Sequence, residues 1–314
     1  MILIPGEELV NIFLQSYSNS LLDLFFLILT SFGGELGIIL LLMIIWTSEK
    51  PISYPLTAVM LFSGVLNWFV KSFFALPRPY LEFSNQINLI GSETPSYGFP
   101  SGHSQSVAIF WTYLTFWFKN KWLVLLTIIL IILVSLSRVY LGIHYLSDVV
   151  VGIFFGLIIV AGYFLLADRF REYWNRFTFQ QQAFLVLFVP LLLFFGAYIL
   201  FPSAFLEGKD PGLCCGLLFG GLVGLFAEQR YIKMKSEGVE TRAKILRIIL
   251  GITICSISFL ALSFFFAVIP ITDGFSFVFI RFIGYSFFAI IAIVVCPLIF
   301  VNLEAQVFGE VNKD

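Results

Sequence analysis

The most constraining feature of the sequence is a series of long apolar segments separated by short polar stretches. Of the 314 residues, 60% are hydrophobic and 12% are charged, whereas soluble domains carry about 25% charged residues. Segments of about 20 apolar residues cross a bilayer as α-helices. The sequence therefore predicts an all-α, polytopic transmembrane helical bundle with spans at 21–33, 35–48, 52–75, 103–118, 122–142, 145–167, 181–201, 211–229, 245–269 and 276–301. Whether the short segment 21–33 spans the membrane is left open.

Lysine and arginine are distributed unequally between the two sets of segment ends. Thirteen of the 18 basic residues fall on one set and five on the other, and the richer set is predicted to be cytoplasmic. Three of the other five, Lys71, Arg78 and Arg138, lie near the two histidines of the sequence, His103 and His144. We therefore expect a multi-pass protein of a bacterial inner membrane whose active site faces the periplasm or exterior.

Three polar motifs fall on this predicted outer face. They are Lys71-x6-Arg78-Pro79, Pro100-Ser101-Gly102-His103 and Ser137-Arg138-x5-His144-x3-Asp148. Arginine offers a planar fork that matches two phosphate oxygens, and lysine acts as a point charge. The second motif opens a predicted helix, so the N–H groups of Ser101, Gly102 and His103 can face an anion. Together these groups predict a phosphate-binding cradle.

The third motif also suggests a nucleophile. His144 and Asp148 are four residues apart, so on a helix they share one face, and the carboxylate can hold the Nδ1–H group of the imidazole. The Nε2 atom of His144 could then attack phosphorus, and His103 could protonate the leaving oxygen. His-x3-Asp could also be half of a metal site, but three nearby cations would repel a divalent ion. We expect neither a metal nor a cofactor, and the net charge of −1 argues against nucleic acid as a partner.

In this order, the three motifs resemble the signature of the type 2 phosphatidic acid phosphatase superfamily. The resemblance covers roughly residues 20–167 and implies a six-helix core with a metal-independent reaction. It implies that His144 becomes phosphorylated, that His103 acts as the acid and that Asp148 orients His144. The phosphate ligands that it implies are Lys71, Arg78, Ser101, Gly102 and Arg138.

The C-terminal part of the chain extends beyond such a core. We expect a phosphatase domain at residues 1–178 and an accessory transmembrane bundle of about four helices at 179–314. Small residues recur at every fourth position of one predicted helix, at Gly212, Gly216, Gly220 and Gly224. Such a glycine seam permits close helix packing, and it could dock the bundle on the core or form a homodimer.

The sequence thus predicts an integral membrane enzyme that hydrolyses a lipid phosphomonoester or pyrophosphate at the outer interface. Its partners would be the lipid phosphate substrate and the surrounding membrane lipids. A lipid phosphotransferase with the same residues is the first alternative, because a hydroxyl group could replace water in the second step. A non-catalytic transporter or scaffold is the second. The motifs do not identify the lipid.

Overall fold

The computed structural model describes residues 4–92, 96–206, 211–269 and 274–307, and all of its regular elements in these ranges are helices. The α-helices are α1 (Glu8–Gln15), α2 (Ser20–Ser31), α3 (Glu35–Ser48), α4 (Lys50–Phe74), α5 (Pro79–Glu82), α6 (Gly102–Phe118), α7 (Lys121–Tyr140), α8 (Leu146–Arg176), α9 (Phe179–Leu200), α10 (Pro202–Leu206), α11 (Gly212–Ala227), α12 (Thr241–Val268), α13 (Gly274–Ile290) and α14 (Cys296–Val307). Two π-helical turns, at Glu228–Ile232 and Ile291–Val295, follow α11 and α13.

The predicted apolar segments all form helices, and the chain is a multi-span membrane protein. In the described ranges, seven helical segments are long and apolar enough to cross a membrane. Helix α6, which the sequence predicts as the span 103–118, has 17 residues and is not one of these seven segments. The segment predicted at 21–33 forms α2, whose 12 residues make a helix of only about 18 Å. Alone, α2 is too short for a hydrocarbon core of about 30 Å.

The described residues form two compact units. The first contains residues 4–38, 62–92 and 96–171, and the second contains 39–61, 172–206, 211–269 and 274–307. Residues 39–61 therefore group with the C-terminal helices, although they precede the motifs in the chain. The predicted domain boundary at residue 178 remains a prediction.

The first unit carries all eight predicted site residues. In this unit α6 and α7 form a helical hairpin, and α2 packs on α7. A small cluster of buried apolar side chains lies beside the third motif, formed by Phe26, Tyr140, Leu141 and Ile143. Helix α8 approaches α6 closely, because a Cβ atom at Gly152 would lie 2.5 Å from the Ser101 carbonyl oxygen. The starts of α6 and α8, which carry the second and third motifs, are therefore in direct backbone contact.

In the second unit, the glycine seam of α11 faces α13. A Cβ atom at Gly216 would lie 2.4 Å from the Phe282 carbonyl oxygen, and one at Gly220 would lie 2.1 Å from that of Ser286. The glycine seam thus packs against a helix of its own bundle. From the sequence we expected the N-terminal core, or a second copy of the chain, as its partner. A homodimer through the seam stays a prediction that this packing does not support, because α13 already covers these two positions.

Candidate active site

The first motif is held by a polar stripe within an apolar helix. Ser63, Asn67 and Lys71 follow one another at every fourth position of α4, and all three are buried. The Asn67 Nδ2 atom donates to Gln105 Oε1 at 2.9 Å, and Gln105 Nε2 donates to Ser63 Oγ at 2.6 Å. Polar groups inside a membrane need such partners. This network ties α4 to α6 and so fixes Lys71 relative to His103.

The cations of the first motif are anchored by the segment that precedes the second. The Lys71 Nζ atom donates to the carbonyl oxygens of Tyr97 at 2.6 Å and Gly98 at 3.0 Å. The Arg78 Nε atom donates to the Ser96 carbonyl oxygen at 2.9 Å, and the Nη2 atom donates to the Ser96 hydroxyl. Lys71 and Arg78 are both buried. Their charges are therefore held in place, with little freedom to reorganise.

The second motif begins helix α6, but it offers fewer backbone donors than the sequence suggested. Ser101 is the N-cap, and its hydroxyl oxygen accepts from the Ser104 N–H group at 3.4 Å. The Ser101 N–H group donates to the Asp148 carbonyl oxygen at 2.9 Å, so it is not available to an anion. Gly102 and His103 supply the first amides of α6, which have no carbonyl partner in the preceding turn of a helix.

The third motif brings its histidine and aspartate together. The His144 Nδ1 atom lies 3.2 Å from Asp148 Oδ2, and the same oxygen accepts from the Tyr145 N–H group at 3.0 Å. The His144 N–H group donates to the Arg138 carbonyl oxygen at 3.2 Å. His144 and Asp148 are each 2% exposed. With Nδ1 as the donor, the lone pair of the imidazole is on Nε2.

The electrostatic environment keeps His144 neutral. Burial is the main factor that holds its pKa well below the ordinary value of 6.5, and the positive charges of Lys71, Arg78 and Arg138 lower the pKa further, as does His103. These four side chains therefore lie within electrostatic reach of His144, and the structure brings the three motifs together. A neutral imidazole beside three cations can act as a nucleophile toward an anion.

The charges around His144 suit an anion better than a divalent cation. Among the residues that the structure describes, no group of three or more His, Cys, Asp or Glu side chains is arranged to hold a metal ion. Lys71, Arg78 and Arg138 would attract the oxygens of a phosphate group. The catalytic and phosphate-binding roles of the eight residues remain predictions.

Two further contacts to the motifs come from the end of α2, and sequence reasoning missed them. The Arg138 Nη1 atom donates to Thr30 Oγ1 at 2.8 Å. A Cβ atom at Gly34 would lie only 3.3 Å from His103 Nε2, so this glycine keeps the space beside the predicted acid open. The sequence TSFGG at residues 30–34 marks this contact region, because small and polar residues there interrupt the apolar pattern.

Comparisons with known proteins agree with this arrangement. Residues 54–172, which include all three motifs, match the model of the PAP2 superfamily. Residues 213–307 match the model described as PAP2 superfamily phosphatase, transmembrane extension.

Three curated relatives are lipid phosphatases by name. A dihydrosphingosine 1-phosphate phosphatase of Schizosaccharomyces pombe is 28% identical over 57% of this chain and 46% of its own length. A lipid A 4'-phosphatase of Porphyromonas gingivalis is 33% identical over 33% and 45% of the two chains. For phosphatidylglycerophosphatase B of Bacillus subtilis, the identity is 36% over 26% and 43%. The chain thus spans slightly less than half the length of these relatives.

Proposed function

Because the chain belongs to the PAP2 superfamily, we propose that it is an integral membrane phosphatase that hydrolyses a lipid phosphomonoester or pyrophosphate. The observation that carries this proposal is the neutral, buried His144, held by Asp148 and surrounded by the charges of Lys71, Arg78 and Arg138. The names of the three relatives all describe phosphatases of lipid phosphates, which supports a substrate of the same class.

In the first step, the Nε2 atom of His144 attacks phosphorus, and the bond from phosphorus to the leaving oxygen breaks. Asp148 holds Nδ1–H and stabilises the positive charge that develops on the imidazole. Lys71, Arg78 and Arg138 bind the non-bridging oxygens, whose negative charge they offset. His103 donates a proton to the leaving oxygen, because an alkoxide leaves poorly without one.

In the second step, water hydrolyses the phosphohistidine. His103, now neutral, takes a proton from the attacking water, and the bond between Nε2 and phosphorus breaks. Inorganic phosphate leaves, and both histidines return to their starting states. The three cations supply the electrostatic stabilisation that a metal ion supplies in other phosphatases, so we propose that the reaction needs no metal.

The reaction belongs at the outer interface of the membrane. The excess of lysine and arginine on the opposite segment ends supports an active site that faces the exterior, or the periplasm of a bacterial inner membrane. A site at the interface lets the phosphate group reach the three motifs while the lipid tail stays in the bilayer.

A phosphate-release assay tests this proposal. Purified protein would be given isoprenyl pyrophosphate, phosphatidic acid, phosphatidylglycerophosphate, lipid A and a sphingoid phosphate, with and without excess chelator. We expect release from at least one lipid that survives chelation, and none from the His144→Ala variant. Activity lost on chelation and restored by a divalent ion would contradict the metal-independent mechanism. Transfer of phosphate to an added lipid hydroxyl, without release to water, would instead identify a phosphotransferase.

A further inference from the structure

The N-terminal helix α1 contacts the third motif through a polar stripe. Glu7, Asn11 and Gln15 are spaced by four residues and so share one face of the helix. All three form hydrogen bonds with residues more than 70 positions away in the chain. The opposite face of α1 carries Leu9 and Phe13, which are 62% and 60% exposed.

Hydrophobic packing contributes to the position of α1 only in part, through Leu14, which packs against the cluster of Phe26, Tyr140, Leu141 and Ile143. A helix that packs by the hydrophobic effect buries its apolar face, whereas α1 buries polar side chains. Asn11 is fully buried at 0% exposure, and Glu7 is 7% exposed. Burying an amide or a carboxylate is unfavourable unless hydrogen bonds compensate, so the contacts of this stripe determine where α1 lies.

Asn11 joins the two ends of the turn that presents the nucleophile. Its Nδ2 atom donates to the Val139 carbonyl oxygen at 2.8 Å and to the His144 carbonyl oxygen at 3.0 Å. The first acceptor lies in the last turn of α7, and the second belongs to the nucleophile itself. One amide group therefore fixes the distance between the end of α7 and His144.

Glu7 and Gln15 hold the segments on either side of that contact. The Glu7 carboxylate accepts from the N–H group of Ser147 at 3.0 Å and from its hydroxyl at 2.9 Å, at the start of α8. The first turn of a helix has N–H groups without partners, and a carboxylate stabilises them. The Gln15 Nε2 atom donates to the carbonyl oxygens of Tyr140 at 2.9 Å and Asn88 at 2.8 Å.

We propose that Asn11 is a positioning residue for His144, and that Glu7 and Gln15 support it on the two sides. With the Asn11 contact, the backbone N–H and C=O groups and the Nδ1 atom of His144 are all hydrogen-bonded. The imidazole is thereby fixed for in-line attack on phosphorus. This inference rests on the proposed phosphatase function and adds a residue that touches neither the substrate nor the imidazole.

The test compares Asn11→Asp with Asn19→Asp. At Asn11 the change removes both amide donors and brings a carboxylate toward two carbonyl oxygens. Asn19 is an exposed N-cap whose Oδ1 atom accepts from the N–H groups of Leu21 and Leu22, and aspartate caps a helix equally well. The same substitution, eight positions apart in the sequence, therefore removes two buried long-range contacts at Asn11. At Asn19 it keeps the helix cap and removes only an exposed local bond, from Nδ2 to the Tyr17 carbonyl oxygen at 3.1 Å.

Two measurements are made on each full-length variant. We expect Asn11→Asp to lower kcat about tenfold or more, because small misplacements of a nucleophile are costly. The inhibition constant of inorganic phosphate should stay within about threefold of wild type, because Asn11 contacts none of the phosphate ligands. Amide hydrogen exchange across residues 139–147 should accelerate in Asn11→Asp and stay at the wild-type rate in Asn19→Asp.

Several results would overturn the inference. Unchanged kcat in Asn11→Asp, a parallel loss of kcat and phosphate affinity, or an equal loss in Asn19→Asp would each contradict a positioning role. Unchanged hydrogen exchange at 139–147 would show that Asn11 does not hold the turn. A wild-type protein that releases no phosphate from any ester would refute the proposed function instead, and the exchange comparison would still decide whether Asn11 holds this segment.

Discussion

The contact between α6 and α8 gives a prediction whose size follows from the structure. Replacing Gly152 by alanine would put a Cβ atom 2.5 Å from the Ser101 carbonyl oxygen. That oxygen belongs to the backbone and also accepts from the Gln105 N–H group at 3.1 Å, so it cannot swing away as a side chain could. The helices themselves must separate in Gly152→Ala.

The required separation of the two helices is about as large as the misplacement of catalytic groups that slows turnover. Ordinary van der Waals contact for a Cβ atom begins at 3.4 Å, so α8 must move by about 0.9 Å from α6. This shift would act between Asp148, at the start of α8, and His103, at the start of α6. A misplacement of about 1 Å can reduce turnover about 100-fold, and overpacking of this kind lowers stability by about 1–3 kcal/mol. We expect both effects in Gly152→Ala.

A glycine in the same helix provides the matched control. A Cβ atom at Gly162 would meet nothing within 4 Å, so Gly162→Ala should keep full turnover and gain up to about 1 kcal/mol from helix propensity. The assay is the initial rate of phosphate release per folded molecule, with thermal unfolding measured in the same detergent. A folded Gly152→Ala protein with kcat within about threefold of Gly162→Ala would refute the role given to this close contact.

The remaining predictions concern the acid, the pH profile and the topology. His103→Ala should slow alkyl phosphates by about 10²- to 10⁴-fold and p-nitrophenyl phosphate much less, since a phenolate leaves unaided; equal losses in a kcat comparison would contradict its role as acid. Attack needs neutral His144, and its lowered pKa keeps it neutral as pH falls, so the acidic limb of the wild-type kcat/KM profile should lie below pH 6.5; an acidic limb centred above that value would contradict this environment. Departure of the leaving group needs protonated His103, so the profile should also fall on its alkaline side. In a Cys-free background, Ser92→Cys should react with an impermeant thiol reagent from outside and Glu237→Cys only after permeabilisation; reversed labelling would contradict the orientation.

The helices and the proximity of the three motifs could be predicted from the sequence, for physical reasons. Long apolar segments form α-helices in a bilayer, because a helix gives each backbone polar group a hydrogen-bond partner within the same segment. The four-residue spacing of His144 and Asp148 also required only helical geometry, and their side chains lie 3.2 Å apart. Local rules therefore sufficed for these features.

Other contacts depend on long-range packing that no local pattern specifies. The polar stripe of α1 resembles the solvent face of a surface helix, and Asn11 meets its acceptors 128 and 133 positions away. The free Ser101 N–H group was expected from the start of a helix, but α8 supplies the Asp148 carbonyl oxygen to it. One local pattern does indicate such a contact, namely the four-residue spacing of Ser63, Asn67 and Lys71 in an apolar helix.

The central claim is that His144 forms a covalent bond with phosphorus. The most direct test is to quench wild-type protein during turnover of a ³²P-labelled lipid phosphate and to locate the label by peptide mapping. The account predicts an acid-labile, base-stable phosphohistidine at His144 that His144→Ala does not form and that forms at least as fast as the enzyme turns over. Label on His103, or turnover without any labelled protein under conditions that preserve phosphohistidine, would contradict it.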